Sequence, residues 1–272
     1  MRRYGKIAVW TLVLVVGLSW WTLAQGLTAD EILDRVEEKS IMGSDIGSMI
    51  TTVKFEITSE GETTSYTFRI FSVRGKEGEP DKGLIVYLEP ELVSGTMFLT
   101  WTPEEGDARM WLYMPDLGIV KELITEQSRE QEFISGSGIT REDIAEGYKY
   151  KDDYTPELAG EEEVNGMPAY VLVCTPKEGH DVDWSKIKLW VHKEEFAVIK
   201  AEFYDLDGQL AKTMEGDDFY TDSIGFIPHV VRFRDLEEGS SSVITIIDRE
   251  AKEIPDDYFD PEKLPTLKIE GL

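Results

Sequence analysis

The 272-residue sequence has one cysteine, three histidines and about half as many basic side chains as acidic ones, 28 Lys and Arg against 54 Asp and Glu. The lone Cys174 excludes an internal disulfide and any thiolate metal cluster. It ends the apolar run Tyr170–Cys174 and reads as a small buried residue. His180, His192 and His229 are far apart and share no metal-ligand spacing. Asp205 and Asp207 before Gly208 lack the other acidic ligands of a calcium loop and fit a hairpin turn instead. Gly136-Ser137-Gly138 lacks the flanks of a nucleophile elbow, and no phosphate-binding glycine loop is present. The expectation is a non-enzyme with no cofactor and no metal. A formal charge of −26 argues against nucleic acid, or an anionic bilayer, as the resting partner. Its acids are dispersed, in short clusters such as Glu161–Glu163, as on a solvated surface.

Long apolar runs are also missing, apart from one at the N-terminus. Arg2, Arg3 and Lys6 precede the apolar stretch Ile7–Trp21, with Thr22 and Ala24 at the −3 and −1 places of a cleavage site. Residues 1–24 are therefore expected to be a secretory signal, with an uncleaved anchor as the rival reading. In both cases the folded part lies outside the cytoplasm. With no repeat and no linker, residues 25–272 are expected to form one domain.

The most informative stretch is Gly95–Ile124, which reads as a β-hairpin. The first strand puts Met97, Leu99 and Trp101 on one face and Phe98 on the other; the second puts Trp111 and Tyr113 on one face, Met110 and Leu112 on the other. A strand pair with water on one side should alternate apolar and polar residues. Here both faces are apolar, so both must meet something apolar. One reading is the wall of a greasy cavity; the other is a central strand pair sandwiched between two layers.

Around it, Thr28 and Glu31 form a capping box for an amphipathic helix at Ala29–Lys39. Alternating strands are expected at Val53–Ile57, Tyr66–Ile70, Leu84–Leu88, Met167–Cys174, Lys186–Val191, Ala197–Tyr204, Leu210–Met214, Pro228–Phe233 and Ser242–Asp248. Between Ile124 and Gly160 no strand alternation is visible. That segment, with a flexible Ser135–Gly138 turn and a Thr140-capped helix at Arg141–Ala145, is expected to cross one face of the sheet as a mobile lid. From Ile254 the tail is proline-punctuated.

Four stretches carry a family likeness: Leu84–Pro90 with Gly95–Leu99, Trp111-Leu112-Tyr113-Met114-Pro115, Gly136–Ile144 and Ile254-Pro255-Asp256-Asp257-Tyr258-Phe259. They resemble the outer membrane lipoprotein-sorting protein family, relatives of the LolA-like periplasmic lipoprotein carriers. The sequence departs from the family at Lys121-Glu122, where an arginine pair is usual, and at Gly138 and Ile139, where Asp and Phe are usual. The resemblance implies a mainly β fold: one strongly curved, unclosed antiparallel β-barrel of about ten or eleven strands, with short helices over the concave face. It implies a monomeric periplasmic carrier that holds the acyl chains of lipoproteins or lipids and works with membrane-embedded donor and acceptor proteins. The expected acyl-binding residues are Phe55, Phe68, Val86, Met97, Leu99, Trp101, Trp111 and Tyr113, under a lid holding Ile139, Ile144 and Tyr148. The alternative is a non-catalytic binding module, either an envelope-stress sensor or an accessory subunit of an exporter.

Overall fold

The computed structural model describes residues 26–39, 47–146, 150–180 and 182–269. The expected signal segment, residues 1–24, lies outside them. Thirteen strands form one antiparallel sheet: β1 (Ser48–Ser59), β2 (Glu62–Val73), β3 (Asp81–Glu89), β4 (Met97–Thr102), β5 (Arg109–Met114), β6 (Ile119–Glu122), β7 (Tyr154–Val164), β8 (Met167–Pro176), β9 (Lys186–His192), β10 (Val198–Tyr204), β11 (Leu210–Thr221), β12 (Phe226–Asp235) and β13 (Ser240–Ala251). Helix α1 (Ala29–Lys39) precedes the sheet, and α2 (Glu126–Arg129), α3 (Arg141–Glu146) and α4 (Tyr150–Asp153) lie between β6 and β7.

The order across the sheet is β6-β5-β4-β3-β2-β1-β13-β12-β11-β10-β9-β8-β7. The chain thus starts mid-sheet, meanders out to β6, crosses to the far edge, and meanders back until β13 pairs with β1. Phe55 opposite Ile244 marks that long-range closure. The edges β6 and β7 do not pair, so the barrel stays open. Thirteen strands stand where about ten or eleven were expected, and the two that alternation missed, β6 and β7, are those edges.

Curvature follows from the packing. One buried cluster gathers Met110 of β5, Phe98 of β4, Ile85 of β3, Phe68 of β2, Phe55 of β1, Ile246 of β13 and Ile227 of β12. Laid flat, those seven neighbouring strands would span about 29 Å at ~4.8 Å per strand. A single cluster can draw on all of them only if the sheet curls around it, which defines an inner face.

Helix α1 packs on the same inner face further along. Its cap is reciprocal: Glu31 N donates to Thr28 Oγ1 at 3.2 Å and Thr28 N to Glu31 Oε2 at 2.8 Å. Ile32 and Leu33 are buried among Leu172, Ile187, Leu189 and Phe203. Each such side chain contributes about 1.5–3 kcal/mol, so the helix is held by its apolar stripe.

Candidate functional site

Alternation along β1 to β5 sends Phe55, Phe68, Tyr87, Phe98 and Met110 to the inner face. What meets them is the segment between the edges. It leaves β6 where Leu123 N donates to Met110 O at 2.8 Å. It then lays Phe133, Ile134, Ile139 and Ala145 into the cluster, with Ile144 partly buried beside them. Phe133 is the hub, its ring centroid 5.7 Å from Phe68, 5.6 Å from Tyr87 and 5.4 Å from Phe98. These are ordinary aromatic packing distances. Of the three residues expected on a lid, Ile139 lies in this cluster and Ile144 packs against it; Tyr148 lies outside the described residues. Phe133 and Ile134 were not foreseen, although an apolar pair inside a polar run was a usable signal.

Directional bonds tie this inner cover to the sheet. Arg129 Nη1 donates to Ala108 O at 2.7 Å and its Nε to Glu142 at 3.0 Å. Thr102 Oγ1 donates to Ala145 O at 2.6 Å, Lys212 Nζ to Gly138 O at 3.0 Å and Ser242 Oγ to Ser137 O at 3.2 Å. The Ser135–Gly138 turn, expected to be flexible, is braced from within. Glu132 accepts from Gly136 N and Gly138 N, each at 2.8 Å. Both glycines sit at positive φ, 79° and 65°, so here they serve a tight left-handed turn. The Tyr87 hydroxyl donates to Phe133 O at 3.4 Å, and burial pushes its pKa well above the usual phenol range. Burial lowers the pKa of the nearby Arg141, whose guanidinium donates to Ser128 O and Gln131.

The eight expected acyl-binding residues do not share a face. Phe55 and Phe68 point inward. Val86, Met97, Leu99, Trp101, Trp111 and Tyr113 point outward, into a cluster closed by Ile254, Phe259, Leu264 and Ile269 of the C-terminal strap. Trp101 Nε1 donates to Phe259 O at 3.0 Å. Trp101 and Trp111 meet edge to face at 4.9 Å, under the Arg109 guanidinium. Grouping the eight in one cavity is corrected by the pleat itself: a step of one residue, such as Phe98 to Leu99, reverses the face. The hairpin is apolar on both sides because two different segments cover it. A depression of about 290 Å³ lies in the strap, lined by Pro255, Asp257, Tyr258, Lys263, Thr266, Leu267 and Lys268. That mixed lining, with Asp257, Lys263, Thr266 and Lys268 among it, suits a hydrocarbon poorly.

The chemistry of the inner face is that of packing. Cys174 is fully buried, and burial pushes its thiol up to about 12, which keeps it protonated and unreactive. His180 contacts Asp153 at 2.9 Å, and the His192 ring accepts from Glu195 N at 3.0 Å. Among the described residues no group of three or more His, Cys, Asp or Glu is placed to hold a metal ion.

Comparison with known proteins agrees with this architecture. A DUF1329 family protein from Desulfovibrio piger is 25% identical, with a TM-score of 0.76 over 88% of this chain and 100% of its own. An outer membrane lipoprotein-sorting protein domain from Vibrio parahaemolyticus is 24% identical, with a TM-score of 0.74 over 87% and 99%. A LolA superfamily protein from Nitrosomonas europaea is also 24% identical, with a TM-score of 0.63 over 86% and 98%. No protein of curated function matches. A family model described as "uncharacterized protein"-like matches residues 79–266, from the start of β3 to the strap and so across both covers. The chain belongs to the family that this model describes, and its fold is the LolA-like one of the lipoprotein-sorting structures.

Proposed function

We propose that the protein is an extracytoplasmic carrier that holds hydrocarbon chains of a lipoprotein or lipid on the inner face of the sheet. The observation that carries this reading is the inner aromatic cluster, filled by side chains of a non-strand segment rather than by a second sheet. Phe133, Ile134 and Ile139 occupy the volume next to Phe55 and Phe68, and an acyl chain would replace them. Each methylene taken from water contributes about 0.8 kcal/mol. Ten or so would therefore offset the loss of the cover's own apolar contacts without any catalytic group. The outward residues from Val86 to Tyr113 are assigned to holding the strap.

The test is titration of the purified chain from residue 25 with a fluorescent long-chain fatty acid, with a triacylated peptide as competitor. Saturable, competable binding is expected, together with lipid co-purifying from the native envelope fraction by mass spectrometry. A flat titration and lipid-free protein would overturn the reading.

A further inference from the structure

Antiparallel topology places the β1–β2, β3–β4, β5–β6, β8–β9, β10–β11 and β12–β13 turns along one rim of the sheet and the alternate hairpins along the other. Large exposed apolar side chains are not shared equally. Leu92 (85% exposed), Leu117 (64%), Leu206 (72%) and Leu236 (51%) each stand at a hairpin tip of the first rim. Ile119 and Leu210 begin strands at the same rim. Among the described residues no hairpin turn of the opposite rim presents an exposed large apolar side chain; Ile124, 77% exposed, stands there where the chain leaves β6.

Single exposed leucines are ordinary, so the distribution has to be set against turn chemistry. In Asp116-Leu117-Gly118, Asp205-Leu206-Asp207-Gly208 and Asp235-Leu236-Glu237-Glu238-Gly239 the acids and glycines have local reasons. Asp205 accepts from Gln209 N, and Asp235 from Glu237 N and Glu238 N. Gly118, Gly208 and Gly239 take φ of 62°, 80° and 67°. Neither reason asks for leucine between them. Every tip leucine also has an exposed carboxylate within one residue: Glu91, Asp116, Asp207 or Glu237. The four turns contain no Lys or Arg. The inner cover reaches this same rim, where Gly136 lies beside Ser59 and Gly138 beside Asp235.

We infer that this leucine-tipped, anionic rim is a docking surface for a protein partner that presents apolar hollows edged with Lys or Arg. Charge complementarity selects that occupant. An anionic bilayer would be repelled by the carboxylates beside each leucine, whereas cations on a protein would pair with them. The surface opens beside the end of the inner cover, so a partner seated there touches that cover. The inference does not depend on what the inner face carries.

The test uses the purified chain and a designed amphipathic peptide of alternating Lys and Leu, with a Lys/Ser peptide of equal charge as control, read by fluorescence anisotropy at physiological salt. The chain is expected to prefer the Lys/Leu peptide by about tenfold, a difference of ~1.4 kcal/mol. Joint Leu92→Ser, Leu117→Ser, Leu206→Ser and Leu236→Ser should abolish that preference. Joint Glu91→Gln, Asp116→Asn, Asp207→Asn and Glu237→Gln should weaken binding of both peptides. Glu104→Gln with Glu105→Gln, at the opposite rim, should change neither. Circular dichroism verifies that each variant is folded, as expected for exposed turns. An unchanged preference in the leucine variant overturns the inference. So does flotation of the chain with phosphatidylcholine vesicles that the leucine variant loses, since the rim would then be a membrane contact.

Discussion

Two segments cover the same strands from opposite sides, and they are built differently. The strap, following β13, covers the outer face of β2 to β5 with Ile254, Phe259, Leu264 and Ile269, exposed by only 7%, 2%, 1% and 7%. One indole bond to Phe259 O is its notable polar tie. The inner cover buries Phe133, Ile134 and Ile139 less completely, at 9%, 6% and 8%. It relies instead on bonds from Arg129, Thr102, Lys212 and Ser242 to backbone carbonyls. The distinction has a physical consequence. A hydrogen bond traded for water loses only about 0.5–1.5 kcal/mol net, whereas lifting a buried side chain exposes all of its apolar surface. The strap is held chiefly by apolar burial, the inner cover by burial together with directional bonds.

Truncating the anchor of each cover gives the largest contrast. Phe259→Ala should cost about 3–4 kcal/mol in urea-unfolding stability, in the range for a buried phenylalanine, and leave fatty-acid affinity unchanged. Phe133→Ala should cost less, about 1–3 kcal/mol, because its ring is nearer solvent. It should also raise affinity for the fluorescent fatty acid, since the competing ring is gone. Equal stability losses with no gain in affinity would erase the contrast between the covers.

A smaller effect concerns the polar ties alone. Arg129→Met keeps the aliphatic stem but removes the bonds to Ala108 O and Glu142. Global stability should fall by about 1–2 kcal/mol, the range for a partly shielded charged pair. Amide exchange should speed up across residues 126–146 and remain unchanged across 254–269. Uniform acceleration over both segments would show that the covers open together.

The strands with a clear alternation were legible: Val53–Ile57, Tyr66–Ile70 and Lys186–Val191 fold as read. The edges were not. β7, Tyr-Thr-Pro-Glu-Leu-Ala-Gly-Glu-Glu-Glu-Val, carries the proline, glycine and charge that keep an open edge from pairing with another chain. The devices that protect the edge also erase its alternation. The strap was illegible for another reason. Ile254, Phe259, Leu264 and Ile269 recur every fifth residue, matching neither the period of a strand nor that of a helix. Without a visible strap, the hairpin's outer face had no claimant, and Trp101 and Trp111 were given to the cavity. That both faces needed covering was readable from Met97–Trp101 and Met110–Tyr113. Which segment covered which face depended on the topology, above all on the return of β13 to β1.

The smallest expected effect separates the covers by pH. Tyr87 lies under the inner cover, and burial raises its pKa above the ordinary phenol value. A group whose folded pKa is raised contributes stability that is complete below the unfolded value, about 10. That stability is lost as pH climbs toward the folded value. Tyr154, raised to about 12 by burial, and the Cys174 thiol, also about 12, act in the same direction but sit by α1. Alkaline loosening of the inner cover should therefore begin above about pH 10. Tyr87→Phe should move its onset upward while costing about 0.5 kcal/mol at neutral pH, because a 3.4 Å bond to Phe133 O is near the limit of hydrogen-bond geometry. The strap has no buried tyrosine of this kind; Tyr258 is only partly buried. Fluorescence of Trp101, which reports the strap, should hold constant over the pH range in which amides near Phe133 lose protection. Simultaneous change of both signals, in the wild type and in Tyr87→Phe alike, would assign the alkaline transition to the α1 region.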